Sequence, residues 1–155
     1  MKGSAKVIDR LNFVLADELT AVSQYMVHAA MCANWGYDEL HDAIEKRAID
    51  EMKHAERLID RILFLDGTPV VNELNKMHIG AAVEAQLKSD HEAELGADKG
   101  YNDGIAIAVA EGDNGSRELF ESILKDEENH LDWLEAQLDQ ISQMGLPAYL
   151  SEQIS

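Results

Sequence analysis

Glutamate and histidine recur in this sequence at spacings that aim them at common points. Two Glu-x-x-His motifs are present, Glu51-Met52-Lys53-His54 and Glu127-Glu128-Asn129-His130. Helical residues at i and i+3 share a face, so each motif directs a carboxylate and an imidazole the same way. With 16 Glu and six His in 155 residues, chance alone gives about 0.6 such motifs, so their number means little. Their placement carries more. Glu18 precedes Glu51 by 33 residues, and Glu94 precedes Glu127 by the same 33. A shift of 76 maps Glu18 onto Glu94, Glu51 onto Glu127, His54 onto His130 and Tyr25 onto Tyr101. The chain therefore reads as two copies of one helical unit, each supplying Glu and then Glu-x-x-His. A two-fold related pair of such units brings four carboxylates and two imidazoles together, a donor set that suits two metal ions. Oxygen-rich ligation with some imidazole favours iron or manganese over a structural zinc site. Burying four carboxylates side by side is prohibitive without cations.

The elements that position these residues follow from periodicity. Pro69 and Pro147 are the only prolines, which leaves two long proline-free stretches for helices. Apolar residues recur at spacings of three and four. Four stripes result, from Leu11 to Cys32, Ile44 to Leu65, Val83 to Ala108 and Phe120 to Ile141, and each contains one of the glutamates. Gly36-Tyr37-Asp38, Asp66-Gly67-Thr68-Pro69 and Gly112-Asp113-Asn114-Gly115 separate them. Two connections are short, so helices one and two form a hairpin, as do three and four. The connection from about 66 to 81 is longer and must cross the bundle. The prediction is an all-α, four-helix bundle with one long crossover between helices two and three and a short fifth helix in LPAYLSEQIS. The whole of 1–155 reads as one domain. Helix three carries Gly96, Gly100 and Gly104 on one face, each costing about 1 kcal/mol relative to Ala unless it permits close approach.

Composition excludes several classes. Thirty Asp and Glu against 13 Lys and Arg give a net charge of −17, which disfavours nucleic acid and anionic membranes as partners. Cations are the natural small partners. Cys32 is the single cysteine, which excludes an internal disulfide and a four-cysteine metal site. The N-terminus lacks the apolar core of a signal peptide, and no run is long enough to span a membrane. The expected location is the cytoplasm.

From MKG and LNFVLADELTAVSQY, through DEMKHAERLIDRILFLDG and DEENHLDWLE, to MGLPAYL, the sequence resembles the bacterioferritins, a ferritin-like di-iron family. The resemblance implies a ferritin-like fold. It also implies an iron-storage ferroxidase whose centre is formed by the residues matching Glu18, Glu51, His54, Glu94, Glu127 and His130. Two iron ions per subunit would lie there. Glu51 and Glu127 would bridge the ions, Glu18 and Glu94 would be terminal ligands, and each ion would take one histidine. Fe2+ and O2 or H2O2 would be the substrates, and ferric mineral would be stored in a homo-oligomeric cage of 24 chains built from two-fold dimers. A ferredoxin-type electron donor would release the iron.

The resemblance also implies haem b, one per two subunits, held at a dimer interface by the residue matching Met52 from each chain. The residues alone place Met52 about 100° away from the metal-facing side of its helix, an outward position. Leu19, Val22 and Met26 are candidates for lining a haem pocket. Asp50 resembles an iron ligand of the family's inner cage surface, although its usual histidine partner is Lys46 here. Tyr25 shares a face with Glu18 and could hydrogen-bond a metal-bound carboxylate. His28, His41, His78 and His91 lack a Glu three residues earlier and read as surface or capping residues. Asp38 to His41 reads as a helix start. Cys32, Trp35 and Trp133 read as packing residues. The competing readings are a di-metal peroxidase or oxygenase without mineral storage, and a non-catalytic interaction or haem-carrying bundle.

Overall fold

The computed structural model describes residues 1–154, so of the single predicted domain only Ser155 lies outside the described residues. Five helices follow one another: α1 (Ala5–Trp35), α2 (Asp38–Phe64), α3 (Val83–Ala110), α4 (Asn114–Met144) and α5 (Leu146–Ser151). No strand occurs among the described residues. The four long helices pack chiefly as α1 on α2 and α3 on α4, with α1 against α3 joining the two hairpins. This is the expected bundle with one long crossover.

Left-handed residues end the helices where the turn signals predict. After α1, Gly36 adopts φ 83° and its N–H bonds to the Ala33 carbonyl, while the Tyr37 N–H reaches back to Cys32. This pair of hydrogen bonds closes the helix end and needs a positive φ at Gly36. Asp66, at φ 59°, and Gly112, at φ 68°, end α2 and α3 in the same way. Asp113 then starts α4, accepting a hydrogen bond from the Ser116 N–H at 2.9 Å. The same carboxylate receives the Arg61 guanidinium of α2 at 2.7 Å, which ties the two hairpins together at this end. The glycines of α3 differ among themselves. A Cβ on Gly104 would lie 3.2 Å from the Phe120 ring, so this position does permit close approach, whereas a Cβ on Gly96 would meet open space.

Each helix carries its metal-candidate residues as an interruption of its own buried apolar stripe. Glu18 lies between Leu15 and Tyr25, and Glu51 and His54 lie between Ala48 and Ala55. Glu94 lies between Leu87 and Ala97, and Glu127 and His130 lie between Ile123 and Leu134. The apolar residues accordingly form two separate clusters. One contains Leu11, Val14, Leu58, Tyr101 and Phe120, and the other contains Ala29, Cys32, Ile44, Leu87 and Tyr149. The polar layer between them is at mid-bundle.

The crossover, residues 65 to 82, has no regular structure, and α1 side chains satisfy its backbone. Asn12 accepts from the Val70 N–H at 2.8 Å and donates to the Thr68 carbonyl at 3.1 Å. The Thr20 hydroxyl accepts from Asn75 N–H, Gln24 from His78 N–H, and the His28 Nε2 from Gly80 N–H. These residues recur at multiples of four and so form one row on α1. His28 is therefore not the surface residue its sequence context suggests. It is fully buried, and since Nε2 accepts from Gly80, Nδ1 carries the proton towards Asp90 at 2.9 Å. His41 is also partly buried, with Nδ1 at 2.9 Å from the Ala29 carbonyl. Trp35 is more exposed than a packing residue, at 37%.

Candidate metal centre

All six predicted residues meet in the polar layer, and all are buried, none more than 3% exposed. They form two overlapping groups, Glu18, Glu51, His54 and Glu127, and Glu51, Glu94, Glu127 and His130. Within each group one donor atom per residue lies within 4.8 Å of the others, close enough to surround one ion. Glu51 and Glu127 belong to both groups, and Glu18 and Glu94 to one each. Each group has its own histidine, and the two imidazole rings stack with centroids 6.2 Å apart.

The histidines approach the carboxylates through Nδ1. His54 Nδ1 lies 2.8 Å from Glu127 Oε1, and His130 Nδ1 lies 2.9 Å from Glu51 Oε1. Neither approach has hydrogen-bond direction, so both Nδ1 atoms lack a hydrogen-bond partner. Each of the four glutamates likewise has one buried oxygen without a hydrogen-bond partner: Glu18 Oε2, Glu51 Oε1, Glu94 Oε2 and Glu127 Oε1. Unsatisfied buried polar atoms are rare, because each forfeits about 1–3 kcal/mol of lost solvation. Six of them converging on two points fit divalent cations: the donor set is carboxylate and imidazole, and the atoms are free to coordinate.

The other oxygens of Glu94 and Glu18 are held from the opposite hairpin. Tyr25 of α1 donates to Glu94 of α3, and Tyr101 of α3 donates to Glu18 of α1. Tyr25 thus serves a carboxylate as expected, but the one across the bundle rather than its helix neighbour. Burial, with the facing carboxylates, keeps both phenols protonated by pushing them well above the ordinary tyrosine range.

Burial also pushes Glu51 and Glu127 well above the carboxylate range, reinforced for both by the charge of Glu18. Burial alone would lower His54, but the flanking Glu127 and Glu18 outweigh it and push the imidazole up to about 11. Glu94 moves the other way: burial raises it, but its neighbours, Glu127 and His130 foremost and then Tyr25, outweigh that and bring it down. The three raised groups bind protons more tightly folded than unfolded. Their contribution to stability is complete below their unfolded values and fades as pH rises through the folded ones. At neutral pH the metal-free cluster therefore holds protons that incoming cations must displace. Calorimetric titration with Co2+ at pH 7 in two buffers of different ionisation enthalpy should give different apparent enthalpies, with protons released. Equal enthalpies in both buffers would contradict this charge state.

Two openings reach the centre. A cavity of about 780 Å³ between α1, α3 and the crossover extends from Lys76 and Lys99 down to Glu18, Glu51, Glu94 and Glu127. A second, of about 320 Å³, lies between α2 and α4 and is lined by Arg47, Asp50, Arg57, Asp126 and both histidines. Asp50 thus stands beside the centre, 3.5 Å from His130 Nε2, while Lys46 is exposed. Asp126 was not singled out by sequence, yet it contacts His54 Nε2 at 3.0 Å. Its signal was available, since it lies 76 residues after Asp50. Met52 is outside this cluster, 45% exposed on α2, with Ile49 exposed one turn before it and Met26 exposed on α1. Leu19 and Val22 are half-buried.

Comparison with known proteins decides the family. Residues 8–144 match the family model described as a ferritin-like domain. The chain is 42% identical to a bacterioferritin of Streptomyces coelicolor over 151 residues, covering 97% of this chain and 90% of the relative. It is 40% identical to a bacterioferritin of Brucella melitensis over 149 residues, covering 96% and 92%. The chain belongs to the bacterioferritins, within the ferritin-like family. A bacterioferritin of Rhodobacter capsulatus is also 40% identical, over 145 residues that cover 94% of this chain and 90% of the relative. Among the described residues no helix is long and apolar enough to cross a membrane.

Proposed function

We propose that this protein stores iron and oxidises it, with Fe2+ bound as substrate in pairs at the six-residue cluster. The observation that carries this reading is the convergence of six buried donor atoms without hydrogen-bond partners on two overlapping positions. Glu18 and His54 would hold one ion, Glu94 and His130 the other, with Glu51 and Glu127 shared between them. Each Fe2+ gives one electron to O2 or H2O2 and leaves as Fe3+. The chain's part is to fix the separation of the ions, to supply negative charge that stabilises the higher oxidation state, and to leave positions open to the oxidant. Tyr25 and Tyr101, kept protonated, hold Glu94 and Glu18 in place. The net charge of −17 concentrates Fe2+ near the particle. The family membership supports the wider reading, a homo-oligomeric cage of 24 chains built from two-fold dimers, located in the cytoplasm, whose ferric mineral is released by electrons from a ferredoxin-type donor.

Haem belongs to the same proposal. Met52 offers an exposed thioether on α2, one turn after the exposed Ile49. One chain presents it once, so a haem held by two methionines would take one Met52 from each of two copies across a two-fold contact. Haem bound there would supply an electron-transfer group.

A second reading, a di-metal peroxidase or oxygenase, gains support from the cavity of about 780 Å³, which falls in the size range of small-molecule pockets and reaches the cluster. Repeated additions of Fe2+ in air, followed by gel filtration and iron analysis, discriminate the two. Storage predicts iron co-eluting with the particle far in excess of two ions per chain. Iron that never exceeds two ions per chain would favour the second reading.

A further inference from the structure

We propose that the cavity of about 320 Å³ between α2 and α4 is a binding site for inorganic phosphate, held by Arg47, Lys53 and Arg57. These three cations line the cavity from α2, and their donors are largely uncommitted. Arg47 Nε is buried without a hydrogen-bond partner, and the guanidinium's contact with Asp50 is long, at 3.7 Å. Arg57 donates to a neutral group, the Ser122 hydroxyl, at 2.8 Å. Lys53 is exposed. Arg61 and Arg117, by contrast, each hold a carboxylate at 2.7 Å. Acids outnumber Lys and Arg by 30 to 13 in this chain, so a concavity whose cations keep free donors is suited to an anion.

The lining selects phosphate among anions. A guanidinium offers paired N–H groups that match two oxygens of an oxyanion, and the lysine ammonium adds a point charge. Asp50 and Asp126 line the same cavity. A carboxylate only accepts hydrogen bonds, so it repels an anion that has no proton to give. Inorganic phosphate at neutral pH still carries an O–H and can donate it to such a carboxylate. Sulfate is fully ionised and cannot. A wall that mixes arginine, lysine and aspartate therefore favours phosphate over sulfate.

The position gives the anion a use. Arg47 and Arg57 are about 15 Å apart along α2, with Lys53 between them, and His54 and His130 line the cavity as well. It reaches the cluster from the α2 and α4 side, whereas the cavity of about 780 Å³ reaches it from α1, α3 and the crossover. On the storage reading, Fe3+ that leaves past the histidines meets an oxygen-rich anion, the ligand type a hard cation prefers. Phosphate held there supplies the counter-anion for the ferric mineral where iron leaves the bundle. The binding itself needs no iron and is tested without it.

Isothermal titration of the metal-free oligomer with inorganic phosphate, at pH 7 and low salt, tests the site. Wild type should bind about one phosphate per chain, and sulfate should bind at least about tenfold more weakly. Arg47→Gln and Arg57→Gln should each weaken phosphate by about tenfold or more. Arg57→Lys, which keeps the charge and loses the paired N–H groups, should fall between Arg57→Gln and wild type. Lys6→Gln removes the same charge from a side chain 79% exposed at the start of α1 and should stay within about twofold of wild type. Gel filtration and circular dichroism check assembly, and Lys53→Gln, at an exposed position, carries the test if an arginine variant does not assemble. Phosphate binding in a protein that fails to oxidise Fe2+ would uphold the site and overturn only the reading of the six-residue cluster. No phosphate bound by wild type, equal affinity for sulfate, or an Arg57→Gln variant indistinguishable from Lys6→Gln would overturn the proposal.

Discussion

Glu127→Ala should lower the rate of Fe2+ oxidation by more than about 100-fold. Groups that merely orient metal ligands are commonly worth 10–100-fold, and Glu127 contributes directly to both candidate ion positions. Its loss removes an oxygen from each ion and leaves His54 without its nearest carboxylate, 2.8 Å away. Glu18→Ala removes a donor from one group only and should have the smaller effect. The fold should survive, because deleting one of four crowded carboxylates relieves repulsion in the metal-free state. Stopped-flow absorbance after addition of two Fe2+ per chain checks this, with circular dichroism and gel filtration as controls for folding and assembly. Equal rates in wild type and Glu127→Ala would reject the assigned centre.

Met52→Leu should abolish haem binding while leaving Fe2+ oxidation within about twofold of wild type. Leucine keeps the volume and apolar character of the exposed patch but has no sulfur to ligate iron. The spared oxidation follows from the geometry, since Met52 is exposed on α2 while Glu51 and His54 on the same helix are buried. In wild type supplied with haem, pyridine haemochrome analysis should give one haem per two chains. One haem per chain, or an unchanged spectrum in Met52→Leu, would contradict ligation by a pair of Met52 side chains.

The bundle and its six central residues were legible because each signal is periodic. Glu18, Glu51, Glu94 and Glu127 sit where an apolar stripe requires an apolar residue, and only a shared burial explains four such violations. The 76-residue repeat then fixed which residues meet. What the sequence hid lies between elements. His28 looked like a surface residue because its partners, the Gly80 N–H and Asp90, come from the crossover and α3. The row formed by Asn12, Thr20, Gln24 and His28 has helical spacing, yet its role depends on a loop whose path no periodicity predicts. The spacing of Tyr25 from Glu18 suits a tyrosine that serves a carboxylate, but its exchange with Tyr101 across the hairpins depends on how α1 and α3 pack. Asp50 and Asp126 carried the repeat signal, although the half-exposed Asp126 does not interrupt an apolar stripe, so burial logic passed over it.

The central claim is that one chain binds and oxidises two Fe2+ together at a single cluster. The most direct measurement is anaerobic loading of the metal-free oligomer with increasing Fe2+, each sample then being mixed rapidly with O2 while Fe3+ absorbance is recorded. The amplitude of the fast phase should rise in proportion to added iron and stop rising at two Fe2+ per chain. A break at one ion per chain, or a fast phase that grows without any break, would contradict the paired centre formed by Glu18, Glu51, His54, Glu94, Glu127 and His130.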